Sequence, residues 1–172
     1  NKIVIDHNGE AYISKLKYGD YKLIETISGK GYLLDNKEYY FNINQENDSI
    51  ELELLNEVIK SKIIITKYLK NDKKVELEQN VKFQVINVNN EIYKEIETNE
   101  NGIAEFELPY GTYTIKQINT TEGYYKIDDF IITIDESSNK EIAFYLHDLK
   151  IPDTNEKNIT FNSKIYEMSL FK

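Results

Sequence analysis

Residues 18–32 read YGDYKLIETISGKGY, and residues 110–124 read YGTYTIKQINTTEGY. Both stretches open with Tyr-Gly-x-Tyr and close with Gly-Tyr, and each shared position is displaced by the same amount, 110 − 18 = 92 residues. A repeat of this length is the size of a small domain, whereas the repeats of solenoid proteins are shorter. The sequence therefore predicts two related domain-sized units in tandem.

Apolar and polar residues alternate in several short segments, which is the pattern of a β-strand with one buried face. These segments are residues 2–6, 21–25, 50–56, 62–67, 81–87, 112–117, 130–134 and 142–148. Turn-forming residues separate them, and Asn-Gly at residues 8–9 and again at 101–102 is the strongest signal for a β-hairpin. Short strands with frequent turns indicate an all-β protein built from tandem antiparallel β-sandwiches.

The composition excludes several classes of function. Of the 172 residues, 21 are basic, all of them lysine, and 30 are acidic, so the net charge of −9 opposes binding to nucleic acids and to anionic membranes. The absence of cysteine rules out disulfides, thiolate catalysis and cysteine metal sites. With His7 and His147 as the only histidines and no apolar run long enough to cross a bilayer, we expect no metal centre, no other cofactor and no membrane insertion.

Two longer stretches resemble the B-type repeat domains of collagen adhesins (Cna protein B-type) and the SpaA-like domains of Gram-positive pilins. YGDYKLIETISGKGYLLDNKEYYFNI (18–43) and LPYGTYTIKQINTTEGYYKI (108–127) are similar to the family pattern LPxGxYxLxE, followed by a short loop and Gly-Tyr. NEVIKSKIIITK (56–67) resembles the junction between one such domain and the next. The likeness covers about residues 1–150 and implies transthyretin-like (prealbumin-like, Ig-related) β-sandwiches.

The resemblance divides the chain into three parts. Residues 60–150 match a complete domain, and residues 1–59 match the C-terminal part of another, whose opening strands are absent from this stretch. Residues 151–172 form a tail that is interpreted as a linker, a sorting signal or an opening strand. The segment IPDT at 151–154 resembles an LPxTG sorting signal in which asparagine replaces the glycine.

The resemblance also implies a spontaneous isopeptide bond. In this family a lysine on the first strand condenses with an Asn or Asp on the last, promoted by the buried glutamate of the LxE motif. In the second unit the matching partners are Lys67 and Asp148, with Gln117 at the promoter position, where a glutamine cannot relay a proton. In the first unit Glu25 and Asn56 match the promoter and acceptor, and the lysine is missing.

The chemistry of amide formation makes its own demands on these residues. It needs a neutral amine, which burial in an apolar environment favours, and a carboxylic acid that relays a proton. Strand parity places every one of the matching side chains on the same face as its apolar neighbours, and so inside the sandwich. A buried salt bridge, or a strand-end lysine that reaches solvent, would explain the same pattern without a covalent bond.

The tail offers a lysine to the incomplete first unit. Met168-x-Leu170-x-Lys172 repeats the apolar-x-apolar-x-Lys pattern of residues 63–67. An unpaired sheet edge accepts an added strand, so one hypothesis has this segment pair with the first unit and present Lys172 to Asn56. A short surface strand is the simpler interpretation.

The resemblance implies a structural stalk or backbone module of a cell-surface adhesin or pilin. Such a protein is extracellular, held at the cell surface or cell wall, and performs no turnover beyond a single autocatalytic crosslink. Its partners would be neighbouring domains of the same protein or pilus. The alternative is a ligand-binding module that contacts a host protein or glycan, and a more distant one is an accessory β-domain of a secreted enzyme.

Overall fold

The computed structural model describes residues 2–46, 49–70 and 74–152, and within those ranges it contains β-strands and no helix. The strands are β1 (Gly19–Ile24), β2 (Glu38–Ile43), β3 (Lys60–Lys70), β4 (Val75–Leu77), β5 (Lys82–Asn87), β6 (Ile92–Glu97), β7 (Ile103–Pro109), β8 (Gly111–Gln117), β9 (Tyr124–Tyr125), β10 (Phe130–Ile134) and β11 (Glu141–Lys150). The predicted all-β fold is confirmed.

Residues 60–150 form a β-sandwich of the transthyretin-like type. One sheet has the strand order β10-β8-β5-β6, and the other has the order β4-β3-β11-β9, with β7 also paired to β3. Both sheets send alternate apolar side chains into one core cluster. Its fully buried members are Ile63, Ile65, Val81, Phe83, Val85, Leu108, Ile115 and Ile134. Burial of this apolar surface holds the two layers together.

The first and last strands of this sandwich lie side by side. β3 and β11 pair in parallel, with Lys67 opposite Leu146 and Leu69 opposite Asp148, whereas every other pairing between the strands is antiparallel. Side chains two residues apart on a strand share a face, so Lys67 and Asp148 lie on the same face, one diagonal step apart. The topology therefore brings residues from the two ends of the unit together.

The first unit departs from the prediction. Within residues 2–46 and 49–59 the strands are β1 and β2, which form an antiparallel hairpin, and the predicted strands at 2–6 and 50–56 are not formed. A strand needs a neighbouring edge for its backbone hydrogen bonds, and the alternating pattern does not reveal whether such an edge is present.

The Asn-Gly pairs form turns, but neither closes a hairpin of paired strands. At the first pair the Gly9 amide donates to Asp6 O at 3.1 Å, and no strands flank the turn. The second pair lies between β6, which pairs with β5, and β7, which pairs with β3 in the other sheet. The prediction of a hairpin at 101–102 is therefore wrong, because the turn residues set local dihedral angles and not the sheet that the next strand joins.

Candidate functional site

Lys67 lies on β3 at the point where the neighbouring strand changes from β7 to β4. Residues 60–66 of β3 pair with β7, and residues 68–70 pair with β4. Between these two neighbours the Lys67 amide donates to Gly102 O at 2.7 Å, and Lys67 O accepts from the Glu78 amide at 2.9 Å. Both backbone groups of Lys67 are thus fixed, and the side chain continues the inward series of its strand and is fully buried.

The Lys67 amine meets the last strand inside the sandwich. Its Nζ lies 2.7 Å from Oδ1 of Asp148, and both side chains have 0% exposure. Among the described residues no donor approaches Oδ1 along a hydrogen-bonding direction, so the short Nζ–Oδ1 contact is a close approach rather than an aligned hydrogen bond. The structure brings together the two residues that the sequence predicts as partners.

Glu78 is a third member of the cluster, and the sequence analysis missed it. Its Oε2 lies 3.1 Å from Lys67 Nζ, and its side chain is only 4% exposed. Its other oxygen, Oε1, accepts from the Thr121 amide at 3.1 Å and from the Thr121 hydroxyl at 2.7 Å. The signal that would have found it is the β3–β4 register: Tyr68 faces Leu77, so the next residue pair is Lys67 and Glu78.

Gln117 contacts Asp148 rather than Lys67. The Nε2 group of Gln117 donates to Asp148 Oδ2 at 2.7 Å, and the Thr120 hydroxyl donates to the same oxygen. The amide orientation of Gln117 is fixed because Nε2 also donates to Asn119 O at 2.8 Å and the Ile127 amide donates to Oε1 at 3.4 Å. Gln117 is buried at 2% exposure, as strand parity predicts.

The cluster combines one amine with two carboxyl groups in the protein interior. With all three groups ionised it would carry a net negative charge, and an uncompensated charge is costly away from water. A single proton shared by Glu78 and Asp148 makes the cluster of Lys67, Glu78 and Asp148 neutral.

The first unit holds a partial version of this arrangement. Asn56 Nδ2 donates to Glu25 Oε1 at 2.8 Å, and Glu25 Oε2 accepts from the Asp35 amide at 2.6 Å. Both side chains are half-buried. Among the described ion pairs none joins a lysine to Glu25. Lys172 and residues 153–154 of the predicted sorting signal lie outside the described residues.

The remaining candidates do not form a site. His7 is exposed in a turn, and His147 is half-buried and stacks on Tyr68 with ring centroids 5.5 Å apart. In the part of the chain that the structure describes, no group of three or more His, Asp or Glu side chains is arranged to hold a metal ion. No helix in those ranges has the length and apolar character needed to cross a membrane.

Three solved structures show what this chain is similar to. The Bacillus anthracis TIE protein is 29% identical with a TM-score of 0.76, over 86% of this chain and 28% of that one. The Streptococcus agalactiae minor pilin GBS52 is 18% identical with a TM-score of 0.50, over 90% and 69%. The shaft pilin SpaA of Lactobacillus rhamnosus GG is 15% identical with a TM-score of 0.47, over 54% and 52%. No curated protein matches the sequence.

The chain thus spans less than a third of the TIE protein structure. The similarity to GBS52 concerns the fold, since the sequences are only 18% identical. A family of domains described as the SpaA prealbumin-like fold matches residues 1–58 and 61–148, which together are most of the sequence. The chain belongs to this SpaA family of prealbumin-like domains.

Proposed function

We propose that the chain is a structural module of a surface adhesin or pilin, closed in its second unit by an isopeptide bond between Lys67 and Asp148. The observation that carries the proposal is the 2.7 Å separation of Lys67 Nζ and Asp148 Oδ1, with both side chains fully buried. Membership of the SpaA family of prealbumin-like domains supports the structural role. In this proposal residues 1–59 and 60–150 are separate domains, and the tail follows them.

The bond is a condensation that occurs once in each molecule. The neutral Lys67 amine attacks Cγ of Asp148, an N–C bond forms, a C–O bond breaks, and one water leaves. No turnover follows, because the product is part of the fold. The chain would therefore act as a crosslinked scaffold and not as an enzyme.

The position of the bond suits a protein under tension. It would join the first and last strands across 148 − 67 = 81 positions. On the loop-entropy scale used for disulfides, such a crosslink stabilises the folded state by roughly 4–5 kcal/mol. Because β3 and β11 are parallel neighbours, a force on the two ends of the unit would shear these strands past each other, and the bond opposes that movement. A chain without cysteine has no disulfide to do this.

The partners and location follow from the same proposal. The module would sit outside the cell, at the cell surface or cell wall, and its partners would be neighbouring domains of the same protein or pilus. GBS52 is a pilin by name, and this supports a surface location for a chain of the same fold.

The mass of the intact, denatured protein tests the bond. We expect the purified chain to be lighter than its sequence mass by one water, and the Lys67→Ala and Asp148→Ala variants to have their full sequence masses. Lys62→Ala is the matched control, since Lys62 lies on the same strand but pairs at the surface with Glu105 at 3.0 Å. This control should still lose one water. A full sequence mass for the unaltered chain would overturn the proposal.

A further inference from the structure

We propose that Glu78 is the acid–base catalyst of the Lys67–Asp148 condensation, and that Gln117 and Thr120 stabilise the negative charge that develops on Asp148. This inference rests on the proposed function. It assigns the acid–base step to Glu78, because the LxE position of this chain holds no acid. Gln117 occupies that position, and an amide cannot take up and return a proton at neutral pH.

The two oxygens of Glu78 have different tasks. Oε1 is occupied by two donors, the amide and the hydroxyl of Thr121. Oε2 accepts from Lys67 Nζ at 3.1 Å, within the range for direct proton transfer. A carboxyl group whose one oxygen accepts hydrogen bonds and whose other oxygen meets the amine is arranged to exchange a proton at that second oxygen.

The backbone holds Glu78 in this position independently of its side chain. Its amide donates to Lys67 O at 2.9 Å, and its carbonyl accepts from the Thr98 hydroxyl at 2.7 Å. Glu78 therefore stands opposite Lys67 in the antiparallel continuation of β4. Glu78 thus reaches the Lys67 amine from the end of β4, which pairs with β3, and not from β8, which carries the LxE position.

Protons and electrons balance within the cluster of Lys67, Glu78 and Asp148. The starting state has a Lys67 ammonium, a Glu78 carboxylate and an Asp148 carboxylic acid protonated on Oδ1. Glu78 takes one proton from the ammonium, and the freed lone pair attacks Cγ while the carbonyl electrons move onto Oδ2. Glu78 then gives its proton to the departing Oδ1 hydroxyl, which leaves as water, and takes a second proton from the nitrogen. The products are the amide, one water and protonated Glu78.

The hydrogen bonds on Asp148 match this sequence of events. Oδ2, where negative charge develops, accepts from Gln117 Nε2 at 2.7 Å and from the Thr120 hydroxyl. Oδ1, which must leave, has no aligned donor in the described part of the chain. Fixed donors aimed at a developing oxyanion lower the barrier, and loss of one costs about 10²–10³-fold in rate. Gln117 thus has a role here that a glutamate would not fill.

The test compares two isosteric substitutions. We expect Glu78→Gln to have its full sequence mass, or to lose water at least about 10²-fold more slowly, the usual effect of losing a general acid–base group. Glu76→Gln is the control: it makes the same chemical change two residues away, on an exposed side chain paired with Lys74, and should lose one water as the unaltered chain does. Masses are followed at intervals after a short pulse of cell-free synthesis.

The outcomes separate this inference from the proposed function. If the unaltered chain keeps its full mass, the isopeptide bond itself is absent and both fail. If the unaltered chain and Glu78→Gln lose water equally fast, the bond stands and Glu78 is not its catalyst. If circular dichroism shows that Glu78→Gln is unfolded, the Glu78→Asp variant replaces it in the test, because its shorter side chain moves the carboxyl group away from Lys67 Nζ. Slow water loss from Glu78→Asp supports the inference, and water loss at the rate of the unaltered chain overturns it.

Discussion

Gly102 lies against the backbone of Lys67 and Glu78 and leaves no room for a side chain. A Cβ at this position would lie 2.6 Å from Lys67 O and 3.1 Å from the Glu78 amide nitrogen, and the residue has a φ of +66°. We expect Gly102→Ala to push Glu78 away from Lys67. Intact mass should then show incomplete water loss, and urea titration should show a lower free energy of unfolding.

Gly9→Ala is the control for backbone strain alone. Gly9 also has a positive φ, +82°, but its added Cβ would meet nothing within 4 Å. The left-handed conformation costs a residue with a side chain roughly 1–2 kcal/mol, and this applies at both sites. If Gly102→Ala loses one water as completely as Gly9→Ala, the close approach of Gly102 does not position the cluster.

At the residue scale, the sequence predicted two partners of the cluster and missed the third. Parity alone placed Lys67 and Asp148 inside, since each continues an apolar series on its strand. The same rule pairs Glu76 with Glu78 on the polar face of Val75–Leu77, yet Glu78 is 4% exposed and the apolar Val75 is 61% exposed. The edge pairing of β4 with β3 decides the burial here, and alternation along one strand does not contain that information.

At the element scale, ionised side chains form hydrogen bonds at the surface of the β1–β2 hairpin. Hydrogen bonds raise the pKa of Lys22 and lower that of Glu38, because the two side chains bond each other at 2.7 Å. The pKa of Asp35 is also lowered, first by the hydrogen bond from the Tyr39 hydroxyl and then by the Lys37 amide. The hairpin should therefore be sensitive to acid.

The direction in which pH changes the stability of the hairpin follows from the direction of each pKa shift. A carboxyl group with a depressed pKa in the folded state stabilises that state at neutral pH, and this contribution is lost as the pH falls through the folded-state pKa. The raised pKa of Lys22 reflects the same pair with Glu38, whose contribution is also lost as the pH rises through the folded-state pKa of Lys22. We expect the amide protons of Gly19–Ile24 to exchange faster, relative to the intrinsic rate, at about pH 3 than at about pH 7.

Glu38→Gln provides the comparison, since it removes the surface pair with Lys22 but keeps the size of the side chain. Its hairpin should lose less protection on acidification than the unaltered hairpin. Equal protection at both pH values in the unaltered chain would show that these carboxylates do not stabilise β1 and β2.

Strand prediction succeeded where a strand had a partner within the described chain. The predicted segments at 62–67 and 142–148 lie within β3 and β11, and the segment at 81–87 begins one residue before β5. The segments at 2–6 and 50–56 have the same alternation and no strand structure, because alternation records which face is apolar and not which edge supplies hydrogen bonds. The alternating pattern also does not predict the parallel pairing of β3 with β11, since this pairing depends on the path of the whole chain.

At the scale of the whole molecule the two units differ in packing. Residues 60–150 enclose a core to which two sheets contribute, whereas Ile43 is the one apolar side chain that is buried among the described residues of the first unit. Buried apolar area is the main source of folding free energy, so the second unit is the more stable part. Unfolding should begin in residues 2–59 and reach the second unit last.

Stretching single molecules by their ends tests the mechanical effect of the proposed crosslink directly. With Lys67 joined to Asp148, the 148 − 67 = 81 positions between them cannot extend when the second unit unfolds. Lys67→Ala removes the bond, so its unfolded length should exceed that of the unaltered chain by roughly 270–290 Å, at about 3.3–3.6 Å per residue. Lys62→Ala, which alters only a surface pair, should match the unaltered chain. Equal extension of the Lys67→Ala and unaltered chains would mean that force is not carried through a covalent bond, and that the parallel pairing of β3 and β11 alone resists the load.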